Sequence, residues 1–405
     1  MTVEWREEQI GNICKQICSG GTPKSTNIEY YTNGTIPWLN TKEINFNRIF
    51  HTEKNITEKA LNSSSAKWIE ADSIIVALYG ETAGKVAITK IALTTNQACC
   101  NLTIDPNKAD YNYIYYFLKN KNQSLINLKN GGAQQNLNVK IIKEFSIRLP
   151  PLPVQKKIAS ILSSLDDKIE LNTRMNNVLE EIARALFHRW FVEFEFPNAE
   201  GKPYKSAGGK MVESEMGRVP EGWKVGTIGE IANITMGQSP SGDSYNEEGK
   251  GEVFYQGRAE FGSRFPTRRL FTTEPKRMAE KGAVLMSVRA PVGDLNIATE
   301  KCCIGRGVAA IQSMDNHPSF ILYTMINLKR ELNVFNGEGT VFGSINKASL
   351  HAMQILIPSE NIIDRFEKMV SPLDVMIENN YNEAQRLTGI RDGLLPKLMN
   401  GELSI

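Results

Sequence analysis

No apolar run in this chain approaches the ~20 residues that a membrane-spanning helix needs. The opening segment, MTVEWREEQIGN, lacks the apolar core of a secretory signal, so a cytoplasmic protein with no membrane partner is expected. Cysteine is sparse: Cys14, Cys18, Cys99, Cys100, Cys302 and Cys303 never form C-x-x-C, which argues for reduced thiols rather than a disulfide framework or a zinc site. The four histidines, His51, His188, His317 and His351, are scattered without ligand spacing. There is no G-x-S-x-G elbow, no G-x-G-x-x-G after a strand and no Asn/Asp-Pro-Pro-aromatic tetrapeptide of the adenine methyltransferase kind. Gly80-Glu-Thr-Ala-Gly84-Lys85-Val86 approaches a P-loop, but it has one residue too few between its glycines, and Val86 has no hydroxyl for Mg²⁺. Asp243 with Glu248-Gly-Lys250 has the composition of a nuclease set but sits in a Gly/Ser-rich turn. No catalytic residue, no metal ligand set and no cofactor of its own is therefore expected in this chain.

Strong charge of either sign is also missing, since the net charge is +2. Divided by region, residues 1–152 carry 17 Lys/Arg against 13 Asp/Glu and 217–357 carry 16 against 14, while 153–216 carry 9 against 10 and 358–405 carry 5 against 8. The modest positive excess lies in the two large blocks, where a polyanion would be gripped.

What the chain does have is a copy of itself. Displaced by about 208 residues, Asn138, Ile147, Pro150, Asp166, Ile169, Glu170, Asn172 and Leu179 fall on Asn346, Ile355, Pro358, Asp374, Ile377, Glu378, Asn380 and Leu387. Ala77-Leu78-Tyr79-Gly80 falls near Ser287-Val288-Arg289-Ala290. The period is a whole domain, too long for a solenoid repeat. Two related halves in one polypeptide can place a pseudo-twofold axis inside a monomer, which suits a dyadic target such as duplex DNA.

Each half opens with a mixed block, in which β-rich runs (Ser73–Leu78, Ala283–Val288) alternate with helical stretches (Tyr111–Leu118, Pro318–Leu328). A helical tract then follows. A short helix is expected from about Val154, with Ser163 capping a longer one, and Ser371-Pro372 repeating that start. A narrow seam with charged flanks runs through Leu165, Ile169, Asn172, Leu179 and Leu186 in the first tract, and through Leu373, Ile377, Asn380, Leu387 and Leu394 in the second. This is a coiled-coil pattern, and the shared Asn172 and Asn380 favour pairing of the two tracts, because a buried Asn fixes register. Some 25 residues would make a rod roughly 35–40 Å long, close to the ~34–36 Å of one DNA turn. The expected division is 1–152 for the first mixed block, 153–195 for the central helical region, 196–216 for a turn-rich linker, 217–358 for the second mixed block and 359–405 for the C-terminal helical region.

With no catalytic centre, the remaining chemistry is binding. The second block interleaves Arg258, Arg264, Arg268, Arg269, Arg277, Arg289 and Arg306 with Phe254, Tyr255, Phe261 and Phe265. Arginine forks match phosphate oxygens and guanine O6/N7. The first block is instead rich in Asn and Lys. The loops after the two matching β-runs, carrying Tyr79, Thr82 and Lys85 in one half and Arg289 and Asp294 in the other, leave a strand end where a sheet can present side chains to DNA.

Ordered motifs now carry a resemblance. Leu149-Pro-Pro-Leu-Pro-Val-Gln-Lys-Lys-Ile158, Leu165-Asp-Asp-Lys-Ile169, Ala185-Leu-Phe-His-Arg-Trp-Phe191, Met216-Gly-Arg-Val-Pro-Glu-Gly-Trp223, Met236-Gly-Gln-Ser-Pro240 and Leu394-Leu-Pro-Lys-Leu-Met-Asn-Gly-Glu-Leu403 make the whole chain similar to the specificity subunit of a type I restriction-modification system. The resemblance implies an α+β fold: two tandem target-recognition domains separated by two long helices that pack as an antiparallel coiled coil, with internal pseudo-twofold symmetry. It implies a non-catalytic subunit whose partners are double-stranded DNA, modification subunits (two of them) and restriction subunits. S-adenosylmethionine, ATP and Mg²⁺ would belong to those partners. Together with the residues above, it makes Thr22, Lys24, Asn40, Tyr79, Thr82, Lys85, Gln238, Ser239, Tyr245, Gln256, Arg258, Arg264, Arg268, Arg289 and Arg306 candidate DNA contacts. Two rival classes are a methyltransferase fusion, which needs the missing tetrapeptide, and a coiled-coil scaffold, which leaves the arginine–aromatic interleaving unused.

Overall fold

The computed structural model describes residues 5–128, 136–337 and 343–403. The chain divides into two compact units, Met1–Leu171 with Ala384–Ile405, and Asn172–Glu383. Two long helices, Leu152–Phe187 and Glu360–Met399, each contribute one part to each unit. The helical tracts are thus not a separate layer: Ile158, Ala159, Leu162, Leu395, Leu398 and Met399 join the core of the first unit, and Ala183, Phe187, Ile362, Phe366 and Val370 that of the second. Among the described residues no helix is long and apolar enough to cross a membrane.

In the first unit, a five-stranded sheet runs in the order Cys14–Ser19, Cys99–Ile104, Ile74–Ala77, Val86–Thr89, Arg48–Ile49. Because alternate side chains of a strand point to opposite faces, a run as apolar as Ile74-Ile75-Val76-Ala77 must be covered on both. Ile74 and Val76 pack with Tyr113, Ile114 and Phe117 of the Tyr111–Asn120 helix, whereas Ile75 and Ala77 join Leu39, Ile44, Ile49 and Leu93 on the other face. The expected helix at Tyr111 begins on Asp110, whose carboxylate accepts the Tyr113 N–H at 2.9 Å. A small sheet of Lys54–Ile56, Ile36–Leu39 and Thr94–Thr95 lies beyond.

The second unit repeats this order of elements. Its four-stranded sheet runs Ala232–Met236, Val308–Ser313, Val284–Ser287, Leu295–Ile297, and the Pro318–Asn327 helix covers one face. The repeat pairs match in detail. Asn138 and Asn346 both cap a helix, accepting the N–H of Ile141 at 2.9 Å and of Ser349 at 2.8 Å. In the first half Ala77 N–H donates to Lys85 O at 3.0 Å and Gly84 N–H to Ala77 O at 2.8 Å. Ser287, Asp294 and Gly293 make the corresponding bonds at 2.9 Å each. All six cysteines are free, and the adjacent pairs lie on non-equivalent strands, as their failure to coincide under the repeat offset requires.

Two expectations are corrected. Ser163 is not a helix cap: it lies inside Leu152–Phe187, with its hydroxyl turned back to Ser160 O at 3.3 Å. The helix begins instead where Pro151 O accepts the Val154 and Gln155 N–H groups, and burial of Ile158, Ala159 and Leu162 against the first unit's core carries it through. Ser371-Pro372 likewise lies within Glu360–Met399. Pro372 is exposed, so its missing N–H costs no buried bond, and burial of Phe366, Val370 and Ile377 on either side outweighs the local preference. Helices of 36 and 40 residues span about 54 and 60 Å at 1.5 Å per residue, longer than the expected rod. The 196–216 segment is ordered: Phe196 stacks on Tyr204 and Trp223 (ring centroids 4.5 and 5.4 Å), and Met211–Ser214 pairs with Gly217–Pro220 as a hairpin.

Candidate nucleic-acid interface

The helix seam is antiparallel wherever it can be followed within one unit. In the second unit Asn172, fully buried, donates to Asn380 O at 3.3 Å and to the Glu383 carboxylate at 2.9 Å. One turn on, Asn176 donates to Ile377 O at 3.1 Å and accepts from Asn380 Nδ2 at 2.9 Å. Ile377 is buried, while Leu165, Ile169, Leu179, Leu186, Leu373, Leu387 and Leu394 are half-buried.

Each recognition block is tied to the helices by a tyrosine–aspartate–arginine set. In the first unit Tyr116 OH donates to Asp166 at 2.6 Å, and Arg391 donates to the other carboxylate oxygen at 2.6 Å. Arg48, whose side chain is only 7% exposed, pairs with Asp167 and Glu170 and donates to Ser163 O. In the second unit Tyr323 OH donates to Asp374 at 2.8 Å, and the arginine comes from the recognition block: Arg264 pairs with Asp374 and Glu180. This corrects the placement of Arg264 among the DNA contacts. It is buried, and its charge is matched by the fold's own carboxylates.

The other arginines sort by the same criterion. Arg258 pairs with Asp294, Arg268 with Glu300, and Arg269 with Glu260 and Glu247. Burial would raise the Asp294 carboxyl, but hydrogen bonds from Lys329 and Arg258 outweigh it and hold the group below the usual carboxylate range. Arg277, Arg289 and Arg306 are exposed and make no ion pair among the described residues, so their forks are open to an external acceptor.

Around Arg306 the backbone is tightly fitted. Gly305 N–H donates to Tyr255 O at 2.8 Å, and Gly307 N–H to Gln256 O at 3.3 Å. A Cβ on Gly237 would come within 2.2 Å of Gly305 O, so only glycine allows the turn carrying Gln238 and Ser239 to close on this loop. Ser239 Oγ accepts the Arg306 N–H at 3.3 Å. Ser239, Gln256 and Arg306 are thereby brought together, with Gln238 exposed beside them. Tyr245 is half-buried, its ring against Phe254 and its hydroxyl on Pro240 O.

The first unit builds the same corner. A Cβ on Gly20 would meet Thr95 O at 2.2 Å, and Gly21 N–H donates to Thr95 O at 2.9 Å. The next residue, Thr22, donates its hydroxyl to Gln97 Oε1. Asn96 N–H donates to Leu39 O at 3.0 Å, and its amide reaches Asn40 Oδ1 at 3.3 Å. Thr22, Asn40 and Gln97 thus occupy the places of Ser239, Gln256 and Arg306. Sequence reasoning missed Gln97. No motif marks it, and Thr95-Asn96-Gln97 aligns with Ile304-Gly305-Arg306 only once the parallel strand pairs Leu39↔Thr95 and Tyr255↔Ile304 are superposed. Lys85 Nζ donates to Asn45 Oδ1 at 2.8 Å, and Tyr79 is 41% exposed. Thr82 is half-buried, and Lys24 is exposed, its carbonyl accepting the Asn27 N–H at 3.0 Å and its ammonium in no ion pair among the described residues.

Known proteins share this organisation. The family model described as "Type I restriction modification DNA specificity domain" matches residues 2–181 and again 220–390. The MjaIX type I restriction enzyme specificity subunit of Methanocaldococcus jannaschii is 30% identical over 99% of this chain and 97% of its own length. The HindI specificity subunit of Haemophilus influenzae is 24% identical over 99% and 100%. In fold, the chain is similar to the crystal structure of the type I S subunit from M. genitalium, with a TM-score of 0.64 at 20% identity, covering 98% of this chain and 96% of that one. A twice-matched family model, relatives aligned along their whole length and a repeated recognition fold on long helices all agree: this chain belongs to the type I restriction-modification DNA specificity family.

Proposed function

We propose that each unit reads one half of a bipartite duplex DNA target, and that the paired helices set the gap and dock the modification subunits. The observation that carries this reading is the corner built twice in one fold with different side chains: Thr22, Asn40 and Gln97 in one copy, Ser239, Gln256 and Arg306 in the other. Equal frameworks with unequal side chains suit two different half-sites read in the same manner. Methylation with S-adenosylmethionine, and ATP- and Mg²⁺-dependent translocation and cleavage, belong in this reading to partner subunits.

The helices support a docking role beyond their mutual seam. Met175, Val178 and Ile182, spaced 3 and 4 apart, remain 37%, 55% and 44% exposed, and Val375 and Met376 are exposed on the other helix. An apolar stripe at that spacing is what a further helix covers.

DNA affinity should depend on those partners. Non-specific grip scales with the number of phosphates neutralised, and pairing within the fold consumes Arg258, Arg264, Arg268 and Arg269. In a gel-shift titration at physiological salt, the isolated chain is expected to bind weakly, and addition of the modification subunit to bring tight, sequence-specific binding. Nanomolar specific binding by the chain alone would contradict the reading.

A further inference from the structure

We infer that Gln97 and Arg306 are the paired specificity determinants of the two units, Gln97 reading an adenine in one half-site and Arg306 a guanine in the other. The inference rests on the bipartite reading proposed above and adds to it which residue meets which base.

Three observations converge. The two residues occupy one structural position, the exposed middle of a turn that leaves the strands Thr94–Thr95 and Cys302–Ile304, which pair in parallel with the earlier strands Ile36–Leu39 and Glu252–Tyr255. Each is held by the hydroxyl at the equivalent place after a close-packed glycine. Thr22 donates to the Gln97 side chain, and Ser239 accepts the Arg306 backbone N–H, so the second contact fixes the turn and leaves the guanidinium to point outward. Neither side chain is neutralised: Arg306 makes no ion pair among the described residues, unlike Arg258, Arg264, Arg268 and Arg269 of the same block.

The chemistry then assigns the bases. A glutamine amide placed edge-on to adenine donates to N7 and accepts from the N6 amino group. Gln97 Oε1 has two lone pairs, so it can keep the Thr22 hydroxyl and still accept from N6. A guanidinium fork donates two parallel bonds to guanine O6 and N7, which no other base offers on one edge. Asn40 and Gln256, held beside the two turns, are placed to meet the neighbouring base or phosphate.

The test uses the chain assembled with its modification subunit, as wild type and as Gln97→Arg, Gln97→Ala and Arg306→Gln. Long-read sequencing of expressing cells gives the methylated motif, and binding to duplexes carrying every single-base change gives the discrimination at each position. Gln97→Arg should convert one adenine of one half-site to guanine, and Arg306→Gln one guanine of the other half to adenine. Preference should switch on the order of 10- to 100-fold at that position alone. Gln97→Ala, which adds no bulk, should make its position degenerate even if the arginine disturbs the turn. An unchanged motif with uniformly weaker binding and a shallower salt slope would mean phosphate contacts and overturn the assignment. So would changes in both halves from one substitution. If the wild-type complex shows no bipartite motif, the bipartite reading falls and takes this assignment with it; a bipartite wild-type motif that the variants leave intact sinks the assignment alone.

Discussion

Arg264→Ala is expected to destabilise the second unit by roughly 3–5 kcal/mol, the cost of leaving a buried charge without its partner. The side chains of Arg264 and Asp374 are 8% and 18% exposed, and Tyr323 OH also donates to Asp374, so the carboxylate cannot recover a full water shell when the guanidinium goes. Arg268→Ala is the contrast. Its pair with Glu300 is 60% and 35% exposed, and a solvated pair of that kind contributes less than ~1 kcal/mol. Denaturant unfolding followed by the fluorescence of Trp190 and Trp223, both in the second unit's core, separates the two variants. Replacing both partners, as Arg264→Leu with Asp374→Leu, should recover much of the loss, since an apolar pair has no unpaired charge to bury. A loss below ~1 kcal/mol for Arg264→Ala would show that water reaches the site and that the arginine is available for DNA after all.

The second large effect concerns the target. A heptad inserted into each long helix at the unit boundaries, between Leu171 and Asn172 and between Glu383 and Ala384, leaves every contact inside each unit as it is. It adds about 10.5 Å to each helix. At ~3.4 Å per base pair along one strand, the non-specific gap in the methylated motif should lengthen by about three base pairs, with both half-sites unchanged. Asn172 and Asn380 lie just inside the insertion points and keep their bond. A folded, methylating variant with an unchanged gap would show that the helices are not the ruler.

Much of this architecture was legible because the repeat preserves chemistry as well as hydrophobicity. Asn138 and Asn346 cap equivalent helices, Asp166 and Asp374 receive equivalent tyrosines, and Asn172 meets Asn380 in the seam. These roles follow from local geometry or from the helical period, both written in sequence spacing. Ser163 and Ser371 misled for the opposite reason: a capping preference of about 1 kcal/mol yields to a continuous buried face such as Ile158-Ala159-Leu162. Arg264 and its neighbours looked alike, because burial is decided by partners such as Asp374, 110 residues away. Gln97 carries no motif, and only the matched strand register of the two units reveals that it stands where Arg306 does.

If two units of one chain read two half-sites, each half should be exchangeable without the other. The most direct test replaces residues 1–150 by the corresponding block of a relative with a different target and maps the methylated motif of cells carrying the hybrid with the modification subunit. One half of the motif should change while the other half and the gap stay as they were. A change in both halves, or a motif that is not split, would contradict independent reading.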